Sequence, residues 1–373
     1  MGVEFYRHGL GKQELAQLEK VLGGSILTTG SYAKEAEELL GCFLNTENSI
    51  LLDSCTAALH LALVSLGIGE GDEVITTPMT FVATASVIFL TGARPVFVDV
   101  EPQTGNIDAD KISAAITDKT KAIMPVHLYG HMCDMKAIRK IADLHNLYII
   151  EDAAHCLEGE RDGIRPGELG DCACFSFYAT KNITCGEGGM LTCRDAALAA
   201  KIRRLSCHGI DRTAYARYGK EYAHWDMIDC GWKYNLDNLR ASILIPQIPN
   251  IDRNLCLREE ICSKYEQAFA ELGVDHPQTL SGTKNARHLQ TVWVDSNRRD
   301  SILSKLQQQG IGVAVNYRSL PELTFIKEQG YQAEDYPVAY EIGRRTISLP
   351  LYPALTEGDL KTTLEAFKKS VKL

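Results

Sequence analysis

From about residue 49, short continuous apolar runs alternate with longer stretches that are apolar on one side only. Residues 49–52, 73–77, 95–100, 121–128 and 147–151 read as strands, and 56–66, 81–90 and 135–145 as helices. Alternating strand and helix calls for right-handed crossovers, hence a mainly parallel sheet with helices on both faces. The strand runs lack polar alternation, as a sheet covered on both sides requires. Ligands on such sheets gather at the carboxyl ends of the strands. His127, Asp152 and the turn at residues 54–56 fall at such ends.

The pattern changes after about residue 245. Residues 252–272 form a long amphipathic helix rich in Arg and Glu, 288–294 a strand, 301–309 a helix and 347–349 a strand. Residues 356–369 read as a terminal helix, opened by Thr356 with Asp359 three positions on. This is the signature of a smaller α+β unit. Pro246 and Pro249 mark the join, giving a large domain over residues 1–245, with an N-terminal arm, and a small one over 246–373.

A chain of 373 residues is long enough for both. The formal net charge of -9 argues against sequence-independent binding to nucleic acid, which needs basic surface. It also means that an anionic substrate must be met by local cations. No run is long and apolar enough to span a membrane. Residues 1–11 are polar and lack the apolar core of a signal peptide, so the expected location is the cytoplasm. The 12 cysteines are scattered and include no Cys-x-x-Cys, so most read as reduced, buried small hydrophobes, with no metal site.

The candidate chemistry sits on the strand ends. Lys181 follows the apolar run Phe175-Ser-Phe-Tyr and precedes a turn with Gly186, Gly188 and Gly189. Desolvation lowers an ammonium pKa, and a neutral amine can hold an aldehyde as a Schiff base. Asp152 ends the run Ile149-Ile150-Glu151. A lysine Schiff base and an acid facing a pyridinium nitrogen are what pyridoxal phosphate asks of a protein. Ser54, Thr56 and the free amides of the helix they open would suit a phosphate. Phe81 could stack on a flat ring. Each signal has an ordinary counterpart. A serine there is a common N-cap, Asp152 equally well caps the next helix, and a lone histidine such as His155 is normally a satisfied core residue. A loop lysine is normally solvated, and Phe81 alone is core packing.

Their order is more specific. Ser54-Cys-Thr-Ala-Ala-Leu-His, Gly71-Asp-Glu-Val-Ile-Thr, Thr80-Phe-Val-Ala-Thr, Gly92-Ala-Arg-Pro-Val-Phe-Val-Asp and Pro125-Val-His-Leu-Tyr-Gly stand in sequence. Glu151-Asp-Ala-Ala-His, Phe175-Ser-Phe-Tyr-Ala-Thr-Lys and Gly186-Glu-Gly-Gly follow, then Lys233-Tyr-Asn-Leu-Asp-Asn and Ser348-Leu-Pro-Leu-Tyr-Pro. Over essentially its whole length the chain resembles the DegT/StrS family of nucleotide-sugar aminotransferases. That resemblance implies the aspartate aminotransferase fold, which is fold type I of the pyridoxal-phosphate enzymes, with a mixed seven-stranded sheet. It implies amination of a nucleotide-linked keto-sugar, with L-glutamate as donor, for an amino sugar of a polysaccharide, glycoprotein or natural product.

Residue by residue, Lys181 matches the Schiff-base lysine, Asp152 the acid at the pyridine nitrogen, and His155 the position near the ring hydroxyl. Thr56 and Ala57 match the phosphate-binding backbone, Ser176 a further phosphate ligand, and Phe81 the stacking aromatic. Asn235 matches an asparagine that reaches the phosphate from the partner subunit, so the resemblance implies a homodimer with shared sites. Two prolines in 245–251 and Cys55, where glycine is common, depart from the family's pattern. The aromatic-rich stretch 209–229, with Tyr215, Tyr218, Tyr222 and Trp225, is a candidate substrate lid. Two alternatives stand beside this reading. One is a sugar dehydratase of the same family, in which histidine replaces the lysine that is present here. The other is a regulatory protein that only binds the cofactor.

Overall fold

The structure, a computed structural model of the chain, describes residues 2–211 and 224–372. Its strands are β1 (Ser49–Leu52), β2 (Glu73–Thr76), β3 (Arg94–Phe97), β4 (Thr120–Met124), β5 (Tyr148–Asp152), β6 (Glu160–Arg161), β7 (Cys172–Ser176), β8 (Gly189–Cys193), β9 (Thr283–Lys284), β10 (Gln290–Trp293) and β11 (Thr346–Leu349). Seven of them form one sheet in the order β1-β8-β7-β5-β4-β2-β3. β8 runs antiparallel to both neighbours, and the other pairings are parallel.

Consecutive residues on these strands face opposite layers. Leu52, Val74, Ala122 and Ile150 pack with the helices Cys55–Ser65, Val82–Leu90 and Ala196–Leu205. On the other face Leu51, Ala173 and Phe175 meet the helix Ser31–Leu44, while Ile75, Ile123 and Ile149 meet the helix Met135–His145. Both faces are therefore dry, which is why the strands read as unbroken apolar runs. The helix Cys55–Ser65 is buried nearly all round, and its sequence is apolar nearly all round.

Most elements lie within a residue or two of their expected bounds. The expected strand 121–128 is shorter: β4 stops at Met124, before Pro125, which has no N–H to give to a ladder. Beyond it Val126 makes a lone parallel bridge to Asp152, and the chain turns through 128–130 with Tyr129 at φ 61°. β3 likewise ends at Phe97. His127, expected at a ligand-binding strand end, is fully buried with its Nε2 2.8 Å from Glu151 Oε2. That pair ties the ends of β4 and β5 together and keeps His127 out of the cavity described below.

The C-terminal layer is built on the antiparallel pair β10–β11. The helices Ile251–Leu272, Arg299–Gln308 and Glu357–Lys372 cover it, with Tyr265, Phe269, Val292, Ile347 and Phe367 in its core. Thr356 opens the last helix as expected, its Oγ1 accepting from Asp359 N at 3.1 Å. Val3 belongs to this same core: its N–H donates to Gly310 O and its carbonyl accepts from Gly312 N. The twelve cysteines are free, eight of them buried. Among the described residues no group of side chains is arranged to hold a metal, and no helix is long and apolar enough to cross a membrane.

β1, β2, β4, β5 and β7 end at one edge of the sheet, so Ser54, Thr80, Val126, Asp152 and Ser176 converge there. The edge is held tightly where β8 passes the turn after β1. A Cβ on Gly189 would lie 2.3 Å from the carbonyl carbon of Ser54 and 2.4 Å from Cys55 N. Backbone cannot yield as a side chain can. Gly189→Ala is expected to destabilise the chain by about 1–3 kcal/mol, read from the denaturant midpoint. An unchanged midpoint would mean that the turn has room to spare.

Candidate active site

A cavity of about 540 Å³ occupies that edge, lined by Ser54, Cys55, Thr56, Thr80, Phe81, Asp152, His155, Ser176, Lys181, His288 and Tyr317 among others. Lys181 sits on the turn after β7, its N–H donating to Tyr178 O at 2.9 Å. Its Nζ lies 3.3 Å from His288 Nε2. Burial pushes its pKa down to about 8, against the opposing pull of Asp152.

Asp152 is 5% exposed at the end of β5. Its Oδ2 accepts from Thr84 Oγ1 at 2.8 Å and its Oδ1 from Ala154 N at 3.2 Å. Thr84 Oγ1 is itself 2.8 Å from Thr80 Oγ1. With the Thr84 proton committed to the carboxylate, Thr80 is the donor, and a short hydroxyl chain leads from the cavity wall to Asp152. Burial raises the Asp152 pKa, while these hydrogen bonds pull it back.

His155 Nδ1 accepts from Tyr129 N at 3.3 Å, and its Nε2 lies 3.2 Å from the Tyr317 hydroxyl. A ring nitrogen that accepts from an amide carries no proton, so the proton is on Nε2. Burial and the nearby Lys181 hold His155 well below the ordinary histidine value. Phe81 ends the loop before the helix Val82–Leu90; it is 55% exposed, with its ring 5.8 Å from that of Tyr317.

Ser54 caps the helix Cys55–Ser65 by accepting from Ala57 N at 3.1 Å. The Ala57 amide is thus already engaged, and Ala57 stands behind the cavity wall, whereas Thr56 is exposed on it. Ser176 lines the cavity, its Oγ accepting from Tyr178 N at 3.3 Å. Asn235 lies outside its own chain's cavity: it bridges Leu52, donates to Thr29 Oγ1 at 2.6 Å and accepts from Lys233 Nζ. Of the candidate lid, Tyr215, Tyr218 and Tyr222 lie outside the described residues, and Trp225 is 52% exposed.

A second cavity, of about 410 Å³, is also lined by Lys181 and His288, together with Arg7, Lys12, Arg253 and Arg258. Sequence reasoning did not find His288, Tyr317, Asn182 or Thr84. Asn182 adjoins Lys181 and Thr84 lies in a recognised helix, but nothing in either position signals a role. His288 and Tyr317 arrive from the C-terminal layer, far away in the chain.

The model of the DegT/DnrJ/EryC1/StrS aminotransferase family matches residues 9–368. A protein of Methanocaldococcus jannaschii is 42% identical, over 98% of this chain and 97% of its own length. The GDP-perosamine synthase of Caulobacter vibrioides is 38% identical, over 91% of this chain and 90% of its own. Among solved structures, Spr1654 of Streptococcus pneumoniae in its PMP form superposes with a TM-score of 0.94 at 30% identity, covering 99% of each chain. The chain belongs to the DegT/DnrJ/EryC1/StrS aminotransferase family, whose members are pyridoxal-phosphate-dependent sugar aminotransferases of fold type I.

The lowered Lys181 pKa has a consequence for stability. Below about 8 the amine is charged both in the folded and in the unfolded chain, so folding bears the full cost of burying an ammonium. Above the ordinary lysine value of 10.5 it is neutral in both, and that cost is gone. Lys181→Met, in the full chain free of cofactor, is therefore expected to be more stable than the parent near neutral pH, on the order of 1–3 kcal/mol. The difference should shrink as the pH rises through that window, toward a remainder that no longer changes with pH. Denaturant titrations at a series of pH values check this, and a constant difference would refute it.

Proposed function

We propose that this chain is an aminotransferase that moves an amino group from L-glutamate to a ketone, at C3 or C4, of a nucleotide-linked deoxy-sugar. One observation carries the reading: a desolvated lysine and a buried carboxylate line one cavity at the sheet edge of a chain from this family. The residues present fit pyridoxal phosphate. The cavity has an acid on one wall, an exposed aromatic ring on another, and hydroxyls with a helix N-terminus at its end.

In this reading Lys181 holds the cofactor covalently and, once released, moves the proton at the reacting carbon. Bound pyridoxal phosphate supplies an electron sink for that carbon. Asp152 keeps a proton on the pyridine nitrogen, and Phe81 covers a ring face. His155, neutral and protonated on Nε2, flanks the ring hydroxyl. Thr56 and Ser176 take the phosphate, with the Ala57 amide shared with Ser54. Asn235 completes the phosphate site of the partner subunit in a homodimer. Arg7, Lys12 and Arg253, beside Lys181 in a chain of net charge -9, favour a substrate carrying a diphosphate. The name of the Caulobacter relative points to a GDP-linked sugar for that protein. The division at residues 245 and 246 belongs to the same reading, since His288 and Tyr317 then close the site from the small domain. So does a cytoplasmic location, where nucleotide-linked sugars are made.

Borohydride reduction of the loaded protein is expected to fix the cofactor to Lys181, as read by peptide mapping. Lys181→Ala is expected to lose at least ~10²–10⁴ in rate, measured with L-glutamate and a panel of UDP-, dTDP- and GDP-linked keto-sugars. An adduct on another lysine, or near-normal turnover in the variant, overturns the assignment. A parent enzyme that transfers nothing from glutamate to any member of the panel overturns the substrate class.

Shared sites predict complementation. A Lys181→Ala chain mixed with a chain disabled by Asn235→Trp should form dimers that carry both defects in one site and leave the other intact. Activity is expected to recover toward half of the parent value per mixed dimer. Mixed dimers that form and remain inactive would place the whole site in one subunit.

A further inference from the structure

His288 approaches Lys181 from the C-terminal layer, and the atoms around it decide which of its ring nitrogens carries the proton. Asn182 Nδ2 donates to Glu158 Oε2 at 2.8 Å and to Ala286 O at 2.9 Å. Both partners can only accept, so the amide is oriented with Oδ1 toward His288. That oxygen lies 3.2 Å from His288 Nδ1. His288 Nδ1 therefore bears the hydrogen, and the lone pair of Nε2 faces Lys181 Nζ. Glu158 is pinned in turn by Arg258, its Oε1 2.6 Å from Nη2, with the two side chains 1% and 2% exposed.

The backbone around both imidazoles is held in a sparsely populated conformation. Arg287 and Tyr129 are non-glycine residues at φ 49° and 61°. The Tyr129 amide feeds His155 Nδ1, and its carbonyl accepts from His288 N at 3.2 Å. The Arg287 side chain is anchored by Glu259 and Glu266. Such conformations persist only where the surroundings over-determine them. The two rings lie 4.3 Å apart in opposite tautomers.

We propose that His288 is a positioning residue for Lys181: locked as the Nδ1–H tautomer by the chain of Asn182, Glu158 and Arg258, it accepts a hydrogen bond from Lys181 Nζ and aims the amine into the cavity. The proposal rests on the reading of Lys181 given above. His288 steers the amine without taking its proton. Burial, together with Lys181, His155 and Arg258, keeps the imidazole well below the ordinary histidine value, whereas Lys181 titrates near about 8. Cys55 and Asp152 complete the titratable groups around the amine. An acceptor bound to the ammonium favours the charged form, so His288 limits how far burial depresses Lys181.

Two substitutions separate this role from plain packing. His288→Gln places an amide oxygen where Nε2 stood, and His288→Leu fills the space without an acceptor. In the full chain free of cofactor, competitive acetylation read by peptide mass spectrometry gives the pH midpoint of Lys181 reactivity. The Leu variant should move that midpoint down by about one pH unit or more, and the Gln variant should leave it near the parent value. In the loaded enzyme the Leu variant should lose kcat with little change in KM for the keto-sugar, and the Gln variant should recover part of that loss. An unmoved midpoint in the Leu variant, or an equal loss in both, overturns the proposal. Should the Leu variant fail to fold, Asn182→Ala frees the imidazole to turn its N–H toward Lys181. That variant must then lower the midpoint too, and a folded Asn182→Ala with an unmoved midpoint also overturns it. The labelling reads the contact alone, so a borohydride adduct on another lysine would remove the functional reading without touching this result.

Discussion

Taking the amine of Lys181 out of water is the constraint around which the rest is arranged. Burying an ammonium costs several kcal/mol unless partners or proton loss relieve it. Here both act, since the pKa falls to about 8 while Asp152 and His288 stand by the charged form. Each partner needs support of its own. Asp152 leans on Thr84 and Ala154, and His288 leans on Asn182 and the Glu158–Arg258 pair. The polar groups around one amine thus form nested shells that run out to Arg258, which holds Glu158 through Nη2 while its own Nε and Nη1 meet no hydrogen-bond partner among the described residues.

The sheet makes this possible. Strands that end together deliver side chains to one edge without a long loop, and helices on both faces keep that edge rigid. The single antiparallel strand, β8, returns the chain past the turn after β1, where only glycine fits at residue 189. A side chain that must be aimed to a fraction of an ångström is best mounted on such a frame.

Much of this was legible in the residues. Doubly covered strands announce themselves as apolar runs, and the ends of those runs located Asp152 and the Ser54–Thr56 turn, whereas Ser176 came only from the family resemblance. The Thr356 cap was readable because its partner is three residues away. The end of β4 was misjudged because Val126 and Leu128 continue the apolar run, while the backbone had already lost its ladder at Pro125. His127 shows the limit in another way: a strand end is a necessary address for a ligand-binding side chain, but its rotamer can point into the core. His288 and Tyr317 were invisible because their relevance depends on a distant segment folding back over the sheet, and one histidine among ten carries no local mark. Asn235 sits outside its own chain's cavity, so a role for it cannot be read from one chain's local pattern at all.

The seating of Val3 has a bearing on how the chain acquires its shape. Its partners, Gly310 and Gly312, are made some 300 residues later. At ordinary translation speeds that interval is roughly 15–60 s. Throughout it the first strand-like residues have nothing to pair with, and β1 likewise waits for β8, its neighbour in the sheet. The nascent chain therefore carries unsatisfied edges from both its opening segment and its first strand. The last third of the sequence closes a ring that the first three residues began, which makes folding late, long-range and open to capture by anything that binds an unpaired strand.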